Sequence, residues 1–89
     1  MKEQQESSQD TLDVVQKDAE LIVFNDEVNT FDHVINTLIR VCKHSSEQAQ
    51  QCTLIIHFKG KCTVKTGPIE KLKSACQGIL DAGIQAEIV

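Results

Sequence analysis

Hydrophobic and polar positions along the chain change period several times, and each change marks an element. Leu21-Ile22-Val23-Phe24 is an unbroken apolar, β-prone run and reads as a buried strand. Asn25-Asp26-Glu27 ends it with turn-favouring polar residues. Phe31, Val34, Ile35, Leu38 and Cys42 then recur at helical spacing, so one stripe of a first helix faces a core. Asn29 or Thr30 can cap its start, Asp32 suits its first turn, and Lys43 and His44 suit its end.

Residues 45–51 read as a short capped helical turn or loop. Residues 52–58 read as a second strand, with Leu54, Ile56 and Phe58 on one face and Thr53, Ile55 and His57 on the other. Lys59-Gly60 is a tight-turn signal and residues 61–65 form the returning strand of a hairpin. Gly67-Pro68 opens a second helix with the stripe Ile69, Leu72, Cys76, Ile79 and Leu80, and Gly83 closes it. Ile84, Ala86 and Ile88 alternate in a last strand. The predicted fold class is α+β: a βαββαβ sandwich with a small, largely antiparallel three-stranded sheet and helices packed on one face.

The chain has 89 residues, which suits one domain with a thin core. Residues 1–19 are rich in Gln, Ser and acids, with Leu12, Val14 and Val15 the only large apolar side chains after Met1. Such a stretch buries too little to offset its ordering entropy, so it is expected as a flexible acidic arm before a core domain of residues 20–89. The net charge of −4 resides in the first twenty residues, where six acids face two lysines. The rest is balanced, with seven acids and seven bases. A neutral body with no Trp and no Tyr argues against nucleic acid, which needs clustered cations and stacking rings. Anionic membrane is disfavoured for the same reason. No signal-peptide pattern and no membrane-length apolar run is seen, so the expected compartment is the cytoplasm.

Cys42, Cys52, Cys62 and Cys76 are spaced ten, ten and fourteen residues apart, without the short two-ligand step of a zinc site. They read as reduced, buried small hydrophobes, and neither metal nor cofactor is expected. A hairpin would bring Cys52 or Cys62 near His57, but strand parity puts Cys52 and His57 on opposite faces. No nucleophile motif surrounds any serine and no phosphate loop exists, so no catalytic residue is assigned and the chain is not expected to be an enzyme.

The informative group is Asn25-Asp26-Glu27 with His57. Alone, the tripeptide is consistent with a solvated turn and His57 with a half-solvated strand position. Together they suggest capture of an α-amine, which carries three donors and no acceptor. An amide carbonyl, carboxylates and a neutral imidazole nitrogen supply the acceptors. Phe31, Val34 and Ile56 are candidate walls of an adjoining apolar pocket. Burying an aromatic of roughly 150–250 Å² contributes about 4–6 kcal/mol. One hydrogen bond to a charged group contributes about 1.5–3 kcal/mol. The pocket would give affinity, and the amine contacts would require a true N-terminus.

The run Ile22-Val23-Phe24-Asn25-Asp26-Glu27-Val28-Asn29-Thr30-Phe31-Asp32-His33-Val34, followed by Leu54-Ile55-Ile56-His57-Phe58-Lys59-Gly60-Lys61, resembles the ClpS adaptor family. The resemblance covers residues 21–66 and extends to the second helix and last strand only in general pattern. It implies a bacterial, non-catalytic adaptor for N-degron substrates that begin with Leu, Phe, Tyr or Trp. The implied partner is a ClpA-like or ClpC-like AAA+ unfoldase working with the ClpP peptidase. By position, Asn25 and His57 would bind the α-amino group, assisted by Asp26 and Glu27. Asn29, Phe31, Val34, Thr53 and Ile56, with Ile84, would line the specificity pocket. Lys73 is the candidate unfoldase contact, and the arm would match the extension that engages the unfoldase pore.

Three departures bear on the pocket. Glu27 stands where the family usually has Asp, and Asn29-Thr30-Phe31 where it has Thr-Pro-Met. Thr53 stands where it has a pocket methionine. Phe31 is stiffer than a methionine gate, and Thr53 is smaller and polar, so the preferred first residue stays open. Two rival readings compete: a protein-interaction domain like the ribosomal stalk protein's C-terminal domain, which shares the element order, and a thiol or metal protein using the four cysteines.

Overall fold

The computed structural model describes residues 18–89. The acidic arm expected over residues 1–19 lies outside the described residues except at its last two positions. Six elements follow in the order β1 (Ala19–Phe24), α1 (Phe31–Cys42), α2 (Ser46–Lys59), β2 (Lys61–Gly67), α3 (Ile69–Asp81) and β3 (Ala86–Ile88). β1 is the central strand, antiparallel to β2 on one side and to β3 on the other. The fold class is α+β, with three helices covering one face of an open three-stranded sheet. Leu21 and Val23 of β1 are fully buried against Leu38 of α1 and Leu72 and Ile79 of α3. Apolar burial of this kind is the main term holding helices to sheet. β1 begins at Ala19, paired with Gly67, so the sheet takes one residue from the expected arm.

One element departs from the expected order. Residues 52–58 are not a strand but the body of the 14-residue helix α2, and the order is βααβαβ instead of βαββαβ. Both ends of α2 are capped. The Ser45 hydroxyl accepts the Gln48 N–H at 3.1 Å. Gly60 adopts φ +93 and donates its N–H to the Ile56 carbonyl at 2.9 Å. Lys59-Gly60 is therefore a helix end, not a hairpin turn, and Gly60 supplies the left-handed conformation that a Cβ would oppose. In the helix Ala49, Thr53 and Ile56 align on the buried side, while Leu54, Ile55 and Phe58 face outward. Apolar residues on both sides blur the 3.6-residue period, which is why the run imitates a strand.

The expected helix starts and stops otherwise hold to within a residue. Thr30 caps α1 by accepting the His33 N–H at 3.1 Å. At the end of α3, Gly83 takes φ +83, its N–H reaching Leu80 and the Ile84 N–H reaching Ile79. This pair of bonds is a Schellman turn, and it seats Ile84 as a buried residue before β3 begins, so Ile84 is not itself in the strand. α3 approaches α1 at Gly78, where a Cβ would meet the Val41 side chain at 3.0 Å.

A bulge in β2 accounts for a buried histidine. The β1–β2 register jumps between Leu21 and Ile22, leaving Val64 without a partner opposite. Its carbonyl takes the Nε2–H of His44 at 2.7 Å, with His44 only 7% exposed. A carbonyl only accepts, so Nε2 carries the proton. His44 thus pins the α1–α2 junction to the irregular point of the sheet.

Candidate functional site

At the end of β1 the chain leaves the sheet and crosses the C-terminus of α2. The Asn25 N–H donates to the Gly60 carbonyl at 2.9 Å, so the helix cap and the strand end are tied together. This tie brings Asn25 beside the last turn of α2, where His57 stands. Between them opens a cavity of about 360 Å³, within the range of small-ligand pockets. Its lining includes Asn25, Asp26, Glu27, Asn29, Phe31, Val34, Thr53, Ile56, His57 and Ile84, together with Val23. All ten residues singled out for amine capture and for the pocket therefore surround one cavity. Lys73 does not: it is exposed on α3, 3.5 Å from Glu70.

Val23, Val34, Thr53, Ile56 and Ile84 are all buried, so the inner part of the cavity is largely apolar. Asn25, Glu27 and His57 remain exposed, so their acceptor atoms are open to solvent. Phe31 is 43% exposed and belongs to both the lining and the rim. Thr53 is less polar here than its type suggests. Its hydroxyl donates to the Ala49 carbonyl at 2.8 Å, so its proton is already used within α2. A buried hydroxyl left unpaired would cost about 1–3 kcal/mol.

The helical state of residues 52–58 makes this geometry. On a strand, Ile56 and His57 would point to opposite sheet faces. On the helix, Thr53, Ile56 and His57 are three and four residues apart and share one side. The same helical turn leaves Cys52 facing the core beside Cys62, away from the cavity. Burial pushes the Cys62 thiol up to about 11, with Cys52 next to it adding to the effect. Burial also raises the Cys42 and Cys76 thiols. Thiols raised in this way are poor nucleophiles at neutral pH. Among the described residues no three His, Cys, Asp or Glu side chains converge as metal ligands would.

Asp26 has work of its own inside the loop. Its Oδ1 accepts the N–H groups of Val28 and Asn29, each at 2.8 Å. Its Oδ2 accepts the Asn29 side-chain amide at 2.7 Å. The Asn29 N–H, ahead of the Asn29 amide and the Val28 N–H, holds the Asp26 carboxyl below the usual carboxylate range, against a smaller opposing effect of burial. The second amide hydrogen of Asn29 goes to the Gly83 carbonyl at 2.9 Å. Next to it, His33 Nε2 donates to the Ala82 carbonyl at 2.8 Å. The loop is thus strapped to the Schellman turn that seats Ile84. His33 and the Gly83 turn carried no functional signal in the sequence; a helix C-terminus with free carbonyls near a loop amide is their only trace.

Comparison with known proteins places the fold in a family. A family model described as ClpS, ATP-dependent Clp protease adaptor protein, matches residues 15–87. The ATP-dependent Clp protease adapter protein ClpS of Thermosynechococcus vestitus is 34% identical over 65 residues, covering 72% of this chain and 69% of its own. The solved structure of Agrobacterium tumefaciens ClpS2 bound to L-phenylalaninamide matches with a TM-score of 0.67 at 20% identity, covering 83% of this chain and 99% of that one. At that identity the likeness concerns the fold. The chain belongs to the ClpS family, the adaptor proteins of the ATP-dependent Clp protease. That membership sets aside the ribosomal stalk reading.

Proposed function

We propose that this adaptor binds proteins through a bulky hydrophobic first residue of the Leu, Phe, Tyr or Trp class and its free α-amino group. It then delivers them to a ClpA-like or ClpC-like unfoldase partnered with ClpP, in the cytoplasm, without catalysing a reaction. The observation that carries this reading is one cavity that combines an apolar interior with exposed acceptors, Asn25, Glu27 and His57, at its mouth. The ligand named for the Agrobacterium neighbour, phenylalaninamide, has the matching chemistry: a free amine and one aromatic side chain.

In this mechanism the first side chain enters between Phe31 and Ile56 and leaves water. The α-ammonium group donates to the Asn25 carbonyl oxygen, to a ring nitrogen of neutral His57 and to the Glu27 carboxylate. Asp26 keeps its negative charge beside the mouth and holds the loop that carries Asn25. The arm of residues 1–19 would serve delivery, and Lys73, exposed on α3, would contact the unfoldase. No helix among the described residues is long and apolar enough to cross a membrane.

The test is titration with short peptides that differ only in residue one, with free and acetylated amines. Free Phe or Leu peptides are expected to bind, and acetylation to remove most of the affinity. Removing residues 1–17, which spares β1 from Ala19 onward, should leave peptide binding intact while slowing degradation by the unfoldase and peptidase. Equal degradation with and without the arm would refute its part in delivery.

A further inference from the structure

The three histidines of the described chain are oriented in two different ways. His33 and His44 each donate a ring N–H to a backbone carbonyl, of Ala82 and Val64 respectively. Among the described residues no hydrogen bond orients His57. Its ring instead meets two aromatic rings nearly edge-on. Phe31 lies 5.0 Å away between centroids at an interplanar angle of 69°, and Phe58 4.9 Å away at 79°. Both separations and angles fall in the favourable T-shaped range for aromatic pairs.

Phe31 has a second employment in the pocket lining, but Phe58 has none. It is 76% exposed and contributes little to the core. A phenyl ring in water at the last turn of a helix is unfavourable for solubility, so its visible contact, the His57 ring, is the place to look for its use. His57 needs such a contact. It is exposed near the C-terminus of α2, where a side chain is free to sample several rotamers. An acceptor that must meet an amine loses affinity in proportion to the time it spends elsewhere.

We propose that Phe58 is a positioning residue for amine capture: with Phe31 it clamps the His57 imidazole edge-on, holding its acceptor nitrogen toward the mouth. The proposal rests on the reading of His57 as an amine acceptor. Hydrogen bonding at the free ring nitrogen would tie up a donor or acceptor, whereas apolar ring edges leave both nitrogens open to the ligand and solvent. This is a physical reason for rings at this position.

The experiment measures the affinities of a free Phe peptide and its acetylated counterpart for the full chain and for Phe58→Ala, Phe58→Leu and Phe58→Tyr. Melting temperatures and the His57 ring-proton shifts are recorded alongside. Phe58→Ala and Phe58→Leu are expected to lower the free-peptide affinity by roughly 2- to 12-fold, the weight of one edge-on aromatic contact. They should leave the acetylated peptide unaffected, lower the melting temperature only by the few degrees that one such contact is worth, and shift the His57 ring protons as the neighbouring ring current is lost. Phe58→Tyr should restore the wild-type ratio. If wild type fails to distinguish free from acetylated peptide, the amine reading itself is wrong. If wild type distinguishes them and Phe58→Ala or Phe58→Leu does so equally well, the clamp is overturned while amine capture stands.

Discussion

The two walls of the pocket are built on opposite principles. The loop of residues 25–30 is solvent-facing and keeps its shape through hydrogen bonds: Asp26 to Val28 and Asn29, Asn29 on to Gly83, and Asn25 to Gly60. The α2 wall keeps its shape by burial, with Ala49, Thr53 and Ile56 set into the core. The loop wall brings polar acceptors and charge but little apolar area. The helix wall brings apolar area, with a single acceptor, His57, at its end. Under the proposed function, affinity and the demand for a free amine would rest on different physical supports, which variants can disturb separately.

The largest effect is expected from the helix wall. Ile56→Ala removes a buried side chain shared by core and cavity, and should cost about 2–5 kcal/mol of stability, read by denaturant unfolding. A cost below ~1 kcal/mol would mean that the wall is not held by burial. His57→Ala comes next. It should weaken free-amine peptides by about 1.5–3 kcal/mol while leaving acetylated peptides nearly unaffected, as isothermal titration would read. Equal losses for both peptides would place His57 among the apolar contacts.

Gly60→Ala tests the tie between the walls. Nothing lies within 4 Å of an added Cβ, so only the left-handed backbone opposes it, at about 1 kcal/mol. For a domain of this size that lowers the melting temperature by roughly 4–8 °C. The smallest global effect belongs to the loop wall. Asp26→Asn should change global stability by less than about 1 kcal/mol, because its bonds lie at the surface, one exposed and two only partly buried. Hydrogen exchange at Val28 and Asn29 should nonetheless accelerate. The pH dependence follows from the depressed Asp26 carboxyl. Its stabilisation of the loop is complete above the unfolded carboxylate value near ~3.9 and is lost as pH falls through the lower folded value. Protection of the Val28 and Asn29 amides should therefore persist to about pH 4 and fade below it; fading already between pH 7 and 5 would assign their protection elsewhere.

The same contrast explains what could be read from the sequence. The loop wall is written locally: an apolar run stopped by Asn25-Asp26-Glu27, with Thr30 capping a strongly amphipathic α1. Its residues and their neighbours around the cavity were legible, as were α1, α3 and the strands on either side of them, whereas the hairpin expected between residues 52–58 and 61–65 is replaced by α2 leading into β2. The helix wall was not. Leu54, Ile55 and Phe58 add apolar residues to the outer side of α2, so the stripe of Ala49, Thr53 and Ile56 does not stand out. Ser45 with Gln48 three residues on, and Gly60 fourteen beyond Ser46, were the available helix signals. The His44 bond to the Val64 carbonyl and the His33 bond to Ala82 were not legible at all. Each depends on a bulge or a helix end that exists only once the chain has folded.

Capture of a free N-terminus is decided by titrating the full chain with a free Phe-initiated peptide and its acetylated twin. Saturable binding of the free peptide is expected, with a loss of at least ~10-fold on acetylation, the least that one hydrogen bond to a charged amine contributes. Equal affinity for the two peptides would contradict that capture.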